Sequence, residues 1–335
     1  MKTAFITGIT GQDGAYLAKL LLDKGYKVLG GVRRSASQEF FRLHYLDIYD
    51  RVTLINLEMQ DGNNIARIFK NNTIDEFYNL AAHSFVGSSW DNPTYVAEVN
   101  AIAVSYILDA IRTYSPTTRF YQASTSEMYG KVRETPQSEL TPFYPRSPYG
   151  VAKSFAHYLT VNYRESYNLH TSCGILFNHE SPLRGNEFVT KKIVRNLVQQ
   201  ANREPVVLEL GNLYAERDWG YAADYVEGMW RMLQQPQGDD YVLATGKTTT
   251  IKQFVEYVAS TLNMPLTWSD SGLNEIATSR GRLVLRINPE FYRPAEVDLL
   301  LGDPTKAQQK LGWSATETVE SLAKIMVDAE LKMRL

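Results

Sequence analysis

Apolar and polar positions alternate between two periods along the first half of the chain. Short apolar runs of strand length come at Thr3 to Thr7, Tyr26 to Val32, Val52 to Leu57, Phe77 to Ala82 and Arg119 to Ser124, with a sixth at Thr171 to Phe177. Stretches of helical period stand between them. Leu17, Ala18, Leu20 and Leu21 form one apolar face, closed by Gly25, and Ala101 to Thr113 reads likewise. Strands spaced by helices predict an α/β fold with a doubly wound parallel sheet. After about residue 180 the texture changes. Ser181 to Gly185 reads as a loop, and Val206 to Leu210 as a strand. Thr190 to Asn202, Trp219 to Leu233 and Ile251 to Leu262 read as helices. Asp303 as N-cap and Pro304 at the first helical position open another. The expected organisation is one domain over residues 1–180 and a smaller mixed α/β domain mainly from 181–335. Segments from about 215 to 245 are expected to return to the first.

The length of 335 residues suits two domains or one large α/β unit. Lys plus Arg is 35 and Asp plus Glu is 37, a net charge of −2, so bulk attraction to nucleic acid or to an anionic membrane is not the theme. One cysteine, Cys173, leaves no internal disulfide and points to a reducing, cytoplasmic setting. The N-terminus lacks the apolar stretch of a signal peptide, and no run approaches the ~18–20 apolar residues that span a bilayer. The five histidines are scattered without a cysteine or acid cluster, so no metal is expected.

Candidate chemistry begins in the first strand-to-helix turn. Gly8, Gly11 and Gly14 let backbone amides approach a pyrophosphate, and the helix N-terminus adds positive potential. The spacing departs from G-x-G-x-x-G, but the position is that of a Rossmann-type dinucleotide loop. An NAD site places an acid roughly 20 residues on, for the ribose 2′-hydroxyl. Here Arg33 stands 19 residues past Gly14, followed by Arg34 and Ser35. Arginine suits a 2′-phosphate, so the expected cofactor is NADP.

Ser124-Thr125-Ser126-Glu127 follows the fifth strand at its carboxyl end, where ligands of open α/β sheets lie. Tyr149 and Lys153 are spaced i,i+4 and share one face if helical. A lysine ammonium beside a phenol lowers its pKa from about 10, which readies Tyr149 to take a hydroxyl proton as hydride leaves carbon. Thr125 is placed to bond the same oxygen.

These motifs resemble the extended short-chain dehydrogenase/reductase superfamily, and within it the GDP-mannose 4,6-dehydratase family. Residues 7–14 (TGITGQDG), 124–130 (STSEMYG) and 141–153 (TPFYPRSPYGVAK) carry the resemblance, with 174–182 (GILFNHESP), 217–220 (RDWG) and 293–298 (RPAEVD). The resemblance implies dehydration of a GDP-linked manno-sugar through C4 oxidation, C5/C6 elimination and hydride return to C6, with Glu127 as the acid–base group. It implies cofactor contacts from Gln12, Asp13, Glu58, Leu80, Ala82 and Ser84 besides the loop glycines, Tyr149 and Lys153. For the substrate it implies Arg184, Arg217 and Arg293 as partners of its diphosphate, and Ser84, Thr125, Ser126, Asn178, Lys192 and Glu296 besides, with His179 structural.

Four residues depart from the family pattern: Glu58 for Asp, His83 for Gln, Tyr214 for Asp and Glu216 for Lys. The last removes a positive charge near the expected substrate pocket, so a GDP-manno-heptose remains an alternative to GDP-mannose. A net reductase or epimerase on the same scaffold and a non-catalytic NADP-binding regulator are the other readings. Family members are dimers or tetramers. The Arg33 to Gln38 segment resembles a loop that reaches a neighbouring subunit's cofactor in the tetramers.

Overall fold

The computed structural model describes residues 1–36, 40–291 and 299–333. Its centre is a sheet of seven parallel strands. Six of them are β1 (Thr3–Thr7), β2 (Lys27–Val32), β3 (Thr53–Asn56), β4 (Glu76–Asn79), β5 (Arg119–Thr125) and β6 (Thr171–Leu176). The seventh, Asp240–Leu243, returns late in the chain to pair with β6. The spatial order is Asp240–Leu243, β6, β5, β4, β1, β2, β3. The order reverses between β1 and β4, and a crevice opens there at the carboxyl ends of the strands. This is the doubly wound parallel sheet that the alternating periods predict.

The sheet is buried on both faces. Phe5, Phe77 and Phe120 join Val104, Ile107, Leu108 and Ile111 on one side. Ala4, Ile6, Leu17 and Leu21 join Met229 and Leu233 on the other. Residues Pro93–Tyr114 run as one helix, interrupted by a π-helical turn at Glu98–Ile102. This run is long and apolar enough, by length and composition, to cross a membrane, contrary to the expectation that no such run exists. Its apolarity is accounted for by the face it buries in the core, and 56% of its most apolar window is buried.

A polar chain crosses the floor of the crevice. The Thr7 hydroxyl donates to Asn79 Oδ1 and accepts from the amides of Leu80 and Ala81 at 2.9 Å. Asn79 Nδ2 donates to Gln122 Oε1, whose Nε2 donates to the Ala123 carbonyl. These bonds explain why β4 stops at Asn79 and not at Ala82: the next amides turn to a side chain instead of the ladder.

A second core collects the helices Val189–Ala201, Ile251–Thr261 and Val319–Met333. They pack on a four-stranded sheet ordered Thr267–Ser269, Ile276–Ser279, Arg282–Ile287, Leu208–Leu210. The expected helix from Trp219 begins later. Trp219–Tyr221 is a strand paired with β7 (Asn178–Glu180), and the helix is Ala222–Gln234. Pro304, not Asp303, is the N-cap of Thr305–Leu311; Asp303 Oδ1 accepts from the Thr305 amide instead.

Candidate active site

The glycine turn is shaped by close approach. Gly8 has φ +69°, and a Cβ there would stand 2.9 Å from the Ala81 nitrogen. A Cβ on Gly14 would fall 2.2 Å from the Gly8 carbonyl oxygen. Gly11 is the N-cap of the helix Gln12–Asp23, and no side chain caps it. The first amides of that helix therefore face the crevice free of side-chain acceptors, which fits the pyrophosphate of a dinucleotide.

Gln12 and Asp13 reach sideways rather than only toward a ligand. Gln12 Nε2 donates to the His179 carbonyl, and Ser181 Oγ donates to Gln12 Oε1. His179 lies between two acceptors, the Phe177 carbonyl at 2.7 Å from Nδ1 and Asp13 Oδ2 at 2.8 Å from Nε2. Two acceptors demand two ring protons, so the imidazolium is the form this geometry holds. Burial works against that charge, but the Asp13 carboxylate outweighs it and raises the His179 pKa. Burial likewise opposes the Asp13 charge, and His179 overcomes it, bringing the carboxyl down to about 2.

At the outer end of the crevice, Arg33 Nη1 donates to the Tyr95 hydroxyl at 3.1 Å. Glu58, Leu80, Ala82 and Ser84 line the same cavity. Arg34 and Ser35 are exposed and do not join that wall. Gln38 lies outside the described residues. His83, a departure from the family pattern, is held by Asn100 of the π-helical turn, which bonds both its amide and its carbonyl.

The reaction centre is assembled from two segments. Thr125 ends β5 and caps the short turn Ser126–Met128. Ser147 caps the helix Pro148–Tyr167, accepting from the Gly150 amide at 3.0 Å, with Pro148 in the first turn. Gly150 faces the Glu127 carbonyl oxygen, 2.8 Å from where a Cβ would sit. That contact seats the first helical turn against the turn carrying Glu127. The Thr125 side chain stands close enough to the Tyr149 phenol to lower its pKa, and the Glu127 charge acts on the phenol in the opposite sense.

Lys153 is buried and donates from Nζ to the Ala123 carbonyl at 2.9 Å, the acceptor that also ends the polar chain from Thr7. Burial lowers its pKa to about 8. The Tyr149 phenol, by contrast, is pushed up by burial against the Thr125 hydrogen bond, with the Glu127 charge adding to the rise. The expectation that the Lys153 ammonium, with a positive nicotinamide, lowers the phenol pKa is not met by the lysine's part: its Nζ turns to a carbonyl and stands 5.8 Å from the Tyr149 ring centroid.

Cations gather on the opposite wall. Arg184 Nε pairs with Glu180 Oε2 at 3.1 Å, and its guanidinium lies over Phe188 at 3.5 Å. Its charge acts on Asp13, His179 and Tyr149, so it stands nearer the glycine turn than the sequence alone conveys. Lys192 Nζ lies 3.8 Å over the Phe291 ring. Arg217 is nearly buried, and its Nη1 donates to the Glu216 carbonyl. Asn178, at the start of β7, completes this wall with Ser126. Arg293 and Glu296 lie outside the described residues.

Together these groups line one cavity of about 880 Å³. It brings the glycine turn, the Thr125, Glu127, Tyr149 and Lys153 cluster and the cationic wall together, an arrangement that can accommodate an anionic alcohol. Glu216 turns away from it, accepting from Thr248 Oγ1, and the Tyr214 hydroxyl bonds Glu275. Sequence reading missed Arg146 and Glu187 in the lining, and the partnership of Asp13 with His179. Arg146 lies inside the quoted 141–153 motif; nothing in the sequence joins residues 13 and 179.

Residues 5–326 match a family model described as GDP-mannose 4,6 dehydratase. A GDP-mannose 4,6-dehydratase of Sinorhizobium fredii is 50% identical over 339 residues, covering 98% of this chain and 97% of that protein. A GDP-mannose 4,6 dehydratase of Homo sapiens is 44% identical over 340 residues, covering 98% and 91%. Among solved structures, a UDP-glucose 4-epimerase of Thermotoga maritima superposes with a TM-score of 0.84 at 22% identity, over 99% of this chain and 100% of that one. A dTDP-glucose 4,6-dehydratase of Bacillus anthracis gives 0.82 at 19% identity, over 99% and 97%. These two share the fold.

The Asp13–His179 pair gives stability a pH signature. Asp13, lowered from 3.8, contributes stability that is present above pH 3.8 and lost as pH falls through about 2. His179, raised from 6.5, contributes stability that is full below pH 6.5 and lost as pH rises through its folded pKa. Both contributions hold at pH 5.5. Asp13→Asn should cost roughly 1.5–3 kcal/mol there and clearly less at pH 9. Urea unfolding at the two pH values checks this, and an equal loss at both contradicts it.

Proposed function

Because the chain belongs to the GDP-mannose 4,6-dehydratase family, we propose that it is a hydro-lyase converting GDP-mannose to GDP-4-keto-6-deoxymannose with NADP as cofactor. The observation that carries this reading is Glu127 in the same cavity as Thr125, Tyr149 and Lys153. An alcohol dehydrogenase needs the last three; elimination needs the carboxylate as well. The same feature favours a lyase over a net reductase or epimerase. The heptose alternative drew on Glu216, whose side chain turns to Thr248 and away from the cavity, so mannose is retained.

In this reading residues 1–180, with the late strand Asp240–Leu243, bind the dinucleotide, and 181–335 supply most of the sugar-nucleotide wall. The amides around Gly8, Gly11 and Gly14 hold the pyrophosphate, and Arg33 takes the 2′-phosphate. When bound, the nicotinamide supplies the acceptor for the C4 hydride and the donor that returns it to C6. Arg184, Lys192 and Arg217 hold the substrate diphosphate, with Asn178, Arg293 and Glu296 completing that side. Lys153 fixes the C-terminal end of β5 through Ala123 and brings positive charge to the site.

Tyr149 takes the C4 hydroxyl proton while Thr125 bonds the same oxygen; burial holds the phenol protonated, so its ionisation would draw on the positive charge that oxidised nicotinamide supplies when bound. The C4 ketone acidifies the C5 proton. Glu127 removes it and passes it to the departing C6 hydroxyl, which leaves as water. A proton equal to the one Tyr149 removed returns to C5 as hydride reaches C6, so the balance is the loss of one water. The chain is also read as a cytoplasmic homo-oligomer. Ile102, Val151 and Phe155 line an apolar groove that suits a second copy, and a monomeric mass by light scattering would contradict this.

Glu127→Gln keeps the shape but takes no proton, so turnover should fall by about 10²–10⁴-fold while the first hydride transfer persists. Tyr149→Phe should instead stop that transfer. Single-turnover nicotinamide absorbance separates the two, and wild-type dehydration by Glu127→Gln would sink the assignment. For the cofactor, Arg33→Asp should weaken NADP binding by roughly 10- to 150-fold and NAD binding far less. Equal affinity of the unaltered protein for both would contradict the NADP choice.

A further inference from the structure

Consecutive residues at the start of the helix Val189–Ala201 point in different directions, as 100° steps around a helix require. Thr190 Oγ1 donates to Glu180 Oε2, the carboxylate oxygen that also pairs with Arg184. Lys191 Nζ donates to the Pro182 carbonyl at 3.0 Å and to Glu330 Oε2 at 2.8 Å. Lys192 reaches the cavity wall over Phe291. Glu330 comes from the C-terminal helix Val319–Met333, 139 residues away.

Lys191 is 5% exposed and Glu330 6%. An ion pair so deep returns in Coulomb energy little more than its desolvation costs, so stability is a weak reason for it. Its geometry gives a stronger one. Lys191 grips the carbonyl two residues before Arg184, and Thr190 fixes the carboxylate that holds Arg184. Within the turn, the Arg184 amide donates to the Ser181 carbonyl, and the Ser181 hydroxyl bonds Gln12 of the glycine turn. The segment Ser181–Arg184 is thus tied to the cofactor loop at one end and to the C-terminal helix at the other.

We propose that the buried Lys191–Glu330 pair is a positioning device for the anion-binding wall. Through it the C-terminal helix sets Arg184 and Lys192, and so acts on affinity for the diphosphate of the sugar nucleotide and not on the bond-changing steps. This rests on the reading of Arg184 and Lys192 as diphosphate ligands.

The decisive variant is the double replacement Lys191→Met with Glu330→Leu. It removes both charges of the buried pair together, and such swaps are often neutral or stabilising. The unfolding midpoint should therefore hold or rise. The dissociation constant for GDP and the KM for GDP-mannose should each rise by about 10-fold or more, since misplacement of about 1 Å at a positioned group can cost 10²-fold. The kcat should stay within about twofold. Lys191→Arg, which restores a cationic donor, should recover most of the affinity. A folded double variant with unchanged GDP affinity would overturn the proposal and leave the pair merely structural. If the double variant does not fold, Glu330→Gln serves in its place: weakened GDP binding supports the proposal, and unchanged binding overturns it. Arg184→Ala tests the underlying reading separately. No effect of Arg184→Ala on GDP binding removes the diphosphate assignment itself.

Discussion

The missing side chain of Gly150 sets the distance between the two halves of the reaction centre. A Cβ there would lie 2.8 Å from the Glu127 carbonyl oxygen, closer than side-chain carbons and backbone oxygens approach. Without it, the first turn of the helix Pro148–Tyr167 rests directly on the turn Ser126–Met128. Tyr149 then meets Thr125, and Lys153, one turn on, meets Ala123. The Ala123 carbonyl is also the end of the polar chain from Thr7 through Asn79 and Gln122. One backbone oxygen thereby couples the glycine crevice, the central sheet and the buried lysine.

The same economy shows in the charges. Among the described residues, buried ionised groups at or near the cavity include three pairs that oppose desolvation: Asp13 with His179, Arg184 with Glu180, and Lys191 with Glu330. Lys153 is bonded to a carbonyl instead of a carboxylate, and burial lowers its pKa to about 8. In the pH range just below that value its charge is held at a cost. A negative charge placed beside it would relieve that cost.

Much of this was legible in the sequence because it is local. The strands β1 to β6 are announced by short apolar runs, the glycine turn by its spacing, and Tyr149 and Lys153 by one helical turn. Thr125 and Glu127 follow from the end of β5. What the sequence did not disclose depends on partners far along the chain. Trp219 to Tyr221 carries a helical-looking pattern yet pairs as a strand, because β7 lies alongside to accept it. The imidazolium of His179 depends on Asp13, 166 residues earlier. The direction of the Tyr149 pKa depends on how deeply the phenol is buried, which no spacing conveys. The departures at Tyr214 and Glu216 look like changes to the pocket, but their side chains bond Glu275 and Thr248 behind it.

The central claim is that one active site removes a hydride from C4 and returns it to C6 of the same sugar, with Glu127 carrying out the elimination between. GDP-mannose bearing deuterium at C4 and carbon-13 throughout the same sugar tests it most directly. Incubated with NADP and an equal amount of fully unlabelled substrate, it should give product carrying the deuterium at C6 of the molecule that began with it, and no lasting change in nicotinamide absorbance. Deuterium appearing at C6 of molecules that began unlabelled, or a stoichiometric gain of reduced cofactor, would contradict the claim.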